Sequence, residues 1–262
     1  PEDAQRFNTL AGQVKTAFHR RFYHADTGYY DNGTQTSCVL PLAFDMVPAE
    51  CRASVFAQLV KSITVENDNH LRTGLIGGHY LLRVLSDNGR PDLAYTLATQ
   101  TTYPSWGYMA RQGATTMWEL WNGDTADAWM NSCNIVMLIG DLNIWLHEYL
   151  GGIRCAPGGP GFKHILIQPE PVGDLTWCRD RFDSPYGPIQ TEWHHSADTF
   201  DLQVVVPVNT TAEIRLPAAP DATIWESGRP VAQALGLTRV RQTDNQACYQ
   251  VGSGTYHFWV SP

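Results

Sequence analysis

No two cysteines of this chain stand at CxxC spacing. The six that are present, at 38, 51, 133, 155, 178 and 248, are widely scattered. That excludes a zinc ribbon and a dense disulfide framework, and most of them read as free thiols packed as small hydrophobes. No apolar run approaches the roughly eighteen residues of a membrane span, so no membrane insertion is expected. Basic residues are not in excess: the net charge is -8 and the pI about 5.5, which argues against a nucleic-acid or anionic-membrane partner. Charged residues are only 17% of the chain against 43% hydrophobic, so 262 residues can bury a substantial core and disorder is excluded. There is no internal repeat of fixed period, and the lack of a signal peptide in this stretch is uninformative. The chain opens Pro1-Glu2-Asp3 without a methionine, so its natural start is expected elsewhere.

Aromatic residues are plentiful, with nine Trp and eleven Tyr. They concentrate in Tyr103–Gly123, where Glu119 lies between Trp118 and Trp121, with Trp106 and Tyr108 shortly before. A carboxylate among aromatic faces suits a sugar-cleaving site, because sugar C–H faces stack on rings while the carboxylate handles a proton or a water. The same residue types also describe a core-facing aromatic cluster with an exposed Glu. Residue types alone leave both readings open.

The texture of the chain changes near residue 152. Residues 3–24 place Phe7, Leu10, Val14, Ala17, Phe18 and Phe22 at helical spacing. Thr34-Gln35-Thr36 opens a second apolar stretch reaching Met46, and Pro48-Ala49-Glu50 starts a third. Further helices are expected at about 76–87 and 91–101. Residues 130–150 are apolar nearly all round, which predicts a buried helix ending at Gly151-Gly152. After the Pro/Gly stretch 156–161 the period switches to two. Phe200, Leu202, Val204 and Val206 alternate with Thr199, Asp201, Gln203 and Val205, and Ala212, Ile214 and Leu216 with Glu213 and Arg215. The expected organisation is a helical region over 1–152 and an antiparallel β-sandwich over 153–262.

Several blocks follow one another in a telling order. They are Thr73-Gly74-Leu75-Ile76-Gly77, Leu85-Ser86-Asp87-Asn88-Gly89-Arg90, Tyr103-Pro104-Ser105-Trp106-Gly107-Tyr108-Met109 and Gln112-Gly113-Ala114-Thr115-Thr116-Met117-Trp118-Glu119-Leu120-Trp121. Pro160-Gly161-Phe162-Lys163-His164, Gly173-Asp174-Leu175 and Tyr186-Gly187 continue the series. Together they resemble the C-terminal part of the bacterial α-L-rhamnosidases, glycoside hydrolase family 78, over nearly the whole chain. The resemblance implies an (α/α)6 barrel of inner and outer helices followed by a β-sandwich. Twelve such helices need well over roughly three hundred residues. About 150 precede the boundary here, enough for six or so. The chain is therefore expected to be the back half of a barrel plus the sandwich, its partner being the missing N-terminal half. Half a barrel would expose a large apolar face.

The resemblance also implies a reaction, hydrolysis of terminal α-L-rhamnose with inversion, on a rhamnose-containing oligosaccharide, polysaccharide or glycoside and with no cofactor. Inversion uses an acid and a base about 6.5–9.5 Å apart, with room between for a water. The glutamate of the Trp-Glu-x-Trp block is the family's general base, which makes Glu119 the candidate; in that role it needs polar partners despite its aromatic neighbours. The family's general acid lies in an upstream acidic Gly-Trp segment. Nothing here matches it, and Asp68, Asp87 and Asp124 sit in contexts that do not correspond. Trp106 resembles the tryptophan that walls the rhamnose pocket, its alternative being a core Trp. Trp118, Trp121 and Tyr108 join it as sugar-contacting candidates. His70 falls where the family has a loop at the barrel mouth, and a structural role fits it equally. Asn134 corresponds to the Asn after which related sequences often place a sugar-contacting His. Here Ile135 follows instead.

His79 reads as structural. His194-His195 are adjacent on a strand and point to opposite faces, so they do not form a metal pair. Arg20-Arg21 is a solvated helix face. Two other functions stay open beside the rhamnosidase: an inverting glycosidase of the same fold acting on another sugar, and a non-catalytic carbohydrate-binding remnant in which Glu119 is idle.

Overall fold

The computed structural model describes residues 2–129 and 131–261, with the side chains of 136–140 left aside. The chain divides into two compact units, residues 1–142 and 143–262.

The first unit is helical. Its elements are α1 (Glu2–Phe22), a two-stranded hairpin β1 (Tyr23–His24) and β2 (Tyr29–Tyr30), α2 (Gln35–Ala43), α3 (Ala49–Thr64), α4 (Leu75–Asp87), α5 (Pro91–Thr99) and α6 (Trp106–Arg111), and α7 (Val136–Trp145) begins in it. Start signals act locally as their chemistry dictates. The Thr34 hydroxyl accepts the Ser37 N–H at the head of α2, Pro48 caps α3, Pro91 takes the first turn of α5, and Ser105 Oγ accepts the Tyr108 N–H of α6. Helix α2 packs on α3 and α4, and α4 packs on α5. They bury Val39, Leu42, Val55, Leu59, Ile63, Leu81, Leu85, Leu93 and Leu97. Helix α1 differs: it has no buried residue, and Phe7, Leu10 and Val14 of its apolar face are about half exposed.

The expected helix over 130–150 is shorter in the structure. Residues 131–135 are irregular, with a bend at 133, and bond to the segment carrying Glu119, Glu119 N–H donating to Ser132 O (2.8 Å) and Ile135 N–H to Met117 O (2.8 Å). Regular α-helix spans 136–145 and ends in a π-turn at 146–150. Backbone groups spent on a neighbouring segment are unavailable for a helix, however apolar the sequence.

The second unit is a β-sandwich. Its strands are β3 (Ile153–Cys155), β4 (His164–Ile167), β5 (Trp177–Ser184), β6 (Gly187–His195), β7 (Phe200–Val206), β8 (Thr211–Pro217), β9 (Thr223–Glu226), β10 (Arg229–Pro230), β11 (Leu237–Gln242), β12 (Gln246–Val251) and β13 (Gly254–Ser261). They form a six-stranded sheet, β10-β9-β13-β7-β6-β5, and a five-stranded sheet, β11-β12-β8-β4-β3. Every pairing is antiparallel except β4 with β8, which run parallel. The inward sets of the two sheets meet in one core, Ile189, Trp193, Leu202, Val204 and Phe258 from the first against Ile165, Ile167, Ile214, Leu216 and Tyr249 from the second. Trp193 is fully buried and its indole N–H donates to Leu150 O (2.7 Å).

Candidate active site

The acidic residue between the two tryptophans is held by backbone. Glu119 Oε2 accepts the Ser132 N–H (3.1 Å), its own N–H donates to Ser132 O (2.8 Å), and Leu120 N–H donates to Asn131 Oδ1 (3.1 Å). The side chain is half-buried. Glu119 Oε1 has no hydrogen-bond partner among the described residues. One carboxylate oxygen is thus anchored by backbone.

The two tryptophans flanking Glu119 do different things. Trp118 is 8% exposed and packs with Met109, Tyr108 and Met117 as the centre of a small core. Gly123 lies against its indole so closely that an added Cβ would sit 2.6 Å from a ring carbon. Trp121 is half-buried, donates its indole N–H to Thr73 O (2.8 Å), and meets Trp106 edge-to-face at 5.4 Å between ring centroids. Trp106 itself is 7% exposed and backs Trp121. Trp118 and Trp106 therefore occupy interior positions, and Trp121 is the one that reaches open space.

That space is a pocket of about 520 Å3 lined by Trp121, Tyr103, Pro104, His70, Leu71, Arg72, Thr73 and Asn67. His70 is fixed at both ring nitrogens: Nδ1 faces the Asp68 and Asn67 carbonyls (2.7 and 3.2 Å) and Nε2 faces the Thr102 hydroxyl (2.8 Å). Tyr108 stands outside this lining. Its hydroxyl donates to Asp124 (2.8 Å), whose carboxylate raises the Tyr108 pKa, and its ring meets Tyr103 edge-on. Asn134 is exposed, its N–H on the Ser132 hydroxyl (3.3 Å). Of the residues singled out from sequence, the structure brings Trp121 and His70 to one pocket, while Glu119, two residues before Trp121, is not part of its lining. Tyr103, Asn67 and Arg72, which also line it, were not singled out. Tyr103 heads one of the ordered blocks, so a signal existed; Asn67 and Arg72 carry none in the sequence. His79 pairs with Asp141, and burial holds the Asp141 pKa up. No group of three or more His, Cys, Asp or Glu able to hold a metal occurs among the described residues.

Helices are thus followed in sequence by a β-sandwich, and a backbone-held carboxylate lies two residues from a tryptophan that lines a pocket. The sequence model of the bacterial alpha-L-rhamnosidase 6 hairpin glycosidase domain matches residues 1–150, and that of the bacterial alpha-L-rhamnosidase C-terminal domain matches 152–229. The chain belongs to the bacterial α-L-rhamnosidase six-hairpin glycosidase family, as part of an (α/α)6 barrel followed by the C-terminal β domain. It is similar to alpha-L-rhamnosidases of Streptomyces avermitilis (37% identical, over 99% of this chain and 24% of the relative) and Formosa agariphila (36%, 98% and 28%). Among solved structures it resembles the Dictyoglumus thermophilum alpha-L-rhamnosidase (TM-score 0.90, 31% identity, 100% of this chain and 29% of that one). It also resembles the Streptomyces avermitilis enzyme complexed with L-rhamnose (TM-score 0.89, 36% identity, 98% and 24%). The chain thus spans about a quarter of the length of the curated relatives it matches.

Proposed function

We propose that this chain supplies the water-activating half of an α-L-rhamnosidase, with residues 1–152 contributing to the barrel and 153–262 forming the β-sandwich domain. The substrate is a rhamnose-containing oligosaccharide, polysaccharide or glycoside, and the reaction proceeds with inversion. The observation that carries this reading is the geometry of Glu119, one oxygen on the Ser132 N–H and the other without a described partner. A carboxylate held this way presents a fixed acceptor to a water, removes its proton as it attacks the anomeric carbon, and needs no rearrangement to do so. The acid that protonates the leaving oxygen comes from outside these 262 residues, as does the remainder of the barrel. The uncovered Phe7, Leu10 and Val14 of α1 offer further helices a surface to pack against. Trp121 receives the sugar by stacking; His70, engaged at both ring nitrogens, holds the pocket wall beside it; Trp106 and Trp118 hold Trp121 and Glu119 in place.

The test is Glu119→Gln in the full-length protein, assayed with an aryl α-L-rhamnoside. Loss of a general base is expected to cost about 10²–10⁴ in kcat. Proton NMR of the first-formed sugar should show the anomer opposite to that of the substrate. Unchanged turnover would remove Glu119 as the base, and a retained anomer would remove inversion.

A further inference from the structure

The outer face of the six-stranded sheet carries a row of residues that the hydrolytic site does not use. Pro230 stands opposite Trp225, Trp225 opposite Trp259, Trp259 opposite Asp201, Asp201 opposite His194, and His194 opposite Trp177. One line thus crosses the whole sheet and bears three tryptophans, 38%, 42% and 58% exposed for Trp225, Trp259 and Trp177. Directly opposite residues share a face, so all three rings rise from the same side. At the usual strand spacing Trp225 and Trp259 are neighbours, and Trp177 lies roughly 14 Å beyond Trp259. None of the three indole N–H groups has a hydrogen-bond partner among the described residues. A groove of about 410 Å3 opens between Trp225 and Trp259, closed by His257 and Gly228. Ser227 and Gly228 both hold left-handed backbone (φ 47° and 79°), which makes the β9–β10 turn tight enough to leave that groove open.

The next row along the sheet is polar: His257 opposite Gln203, Gln203 opposite Glu192, Glu192 opposite Arg179. Its charges are already satisfied within the face. Arg179 pairs with Glu192 (2.8 Å), His194 bonds Glu192 (3.3 Å), and His257 bonds Asp201 (2.6 Å). No cation of these two rows is left over to attract an anion, and Asp201 and His194 stand between Trp177 and the adjacent pair Trp225 and Trp259. Such a face matches a partner that is uncharged, flat and apolar on one side, and rimmed with hydroxyls. Rings supply the stacking surface, and the indole N–H groups, Gln203 and the two carboxylates supply donors and acceptors at its edge.

We propose that this face is a glycan-binding platform that takes a neutral polysaccharide chain along the Trp225–Trp259–Trp177 row, separate from the hydrolytic pocket.

Native gel electrophoresis of the full-length protein through gels containing galactomannan, xyloglucan or mixed-linkage β-glucan tests this, with dextran sulfate as the anionic control. At least one neutral glycan should retard the protein. The double substitution Trp225→Ala with Trp259→Ala should weaken that binding about tenfold or more. Thermal midpoint and turnover of a small aryl rhamnoside should stay unchanged, and Trp259→Tyr, which keeps a ring, should retain most of the retardation. Retardation by none of the three glycans, equal retardation of the double variant, or retardation by dextran sulfate alone would each overturn the proposal. A dimer that the double substitution dissociates would show the face to be covered by a second copy. Tryptophans at 225 and 259 that resist oxidation by N-bromosuccinimide in the full-length protein would show it to be covered by another domain. Either result also overturns it.

Discussion

Gly123→Ala should disturb the candidate active site without touching a polar group. Built on the present backbone, the new Cβ would lie 2.6, 2.7 and 2.8 Å from three atoms of the Trp118 ring system. Carbon atoms in contact prefer about 3.5–4.0 Å, so the indole or the 122–125 turn has to move by the better part of an ångström. The indole has little freedom to move, because Trp118 is 8% exposed and packed on Met109. The turn is tied as well: Gly123 N–H donates to Leu120 O (3.1 Å), and Thr125 and Ala126 N–H both donate to Asn122 O. Overpacking of this kind costs about 1–3 kcal/mol, a fall of roughly 2–12 °C in the midpoint of a domain this size. Glu119 directly follows Trp118 and precedes the turn by three residues, so a shift of either reaches its backbone. Turnover of an aryl rhamnoside by the full-length protein should therefore fall, while binding of rhamnose at the Trp121 pocket should change less. Differential scanning calorimetry and steady-state kinetics on the same preparation give both numbers. An unchanged midpoint together with unchanged kcat would refute the view that Trp118 is a packed support for Glu119.

Trp121→Phe keeps a ring but leaves Thr73 O without its indole donor, which should raise KM for aryl rhamnosides and cost about 1–3 kcal/mol of stability, read by kinetics and by denaturant unfolding. Asp141 is buried and its pKa is raised above the ordinary value near about 3.9, chiefly by desolvation. The folded state then holds that proton more tightly than the unfolded chain does. Stability from this group is complete below the ordinary value and is lost as pH climbs through the raised one, so the midpoint-versus-pH curve of Asp141→Asn should lack that decline. Ile135→His would restore a donor and acceptor beside Asn134 while its backbone N–H stays on Met117 O. If the site takes rhamnose, KM should fall with kcat little changed; no change in KM would show that this side chain does not reach the sugar.

Much of the fold was legible because single-chain signals specify it. The 3.6 period of residues 3–24, Pro48 and Pro91 at helix starts, and the alternation of 200–206 and 212–216 each encode a local structure, and α1, α3, α5, β7 and β8 lie where those signals put them. What failed to show is what depends on partners. The apolar run 130–150 says buried helix, yet Ser132 and Ile135 give their backbone groups to Glu119 and Met117, and only a view of the other segment reveals it. Alternation assigns faces but not neighbours, so neither the parallel pairing of β4 with β8 nor the alignment of Trp225 with Trp259 could be read from the chain.

The same limit governs the site. Trp118 and Trp121 are the same residue type, three positions apart, flanking the same carboxylate, and no pattern separates them. Gly123 beneath one and Thr73 O in reach of the other decide which is buried support and which faces the pocket. The motif therefore supplies the candidate, Glu119, while the packing around it is set by tertiary contacts made by residues that carry no signature of their own. A substitution series confined to the Trp-Glu-x-Trp block would miss those contacts. Gly123 and Ser132, which contribute no functional side chain, are expected to control the position of the carboxylate as strictly as the tryptophans beside it.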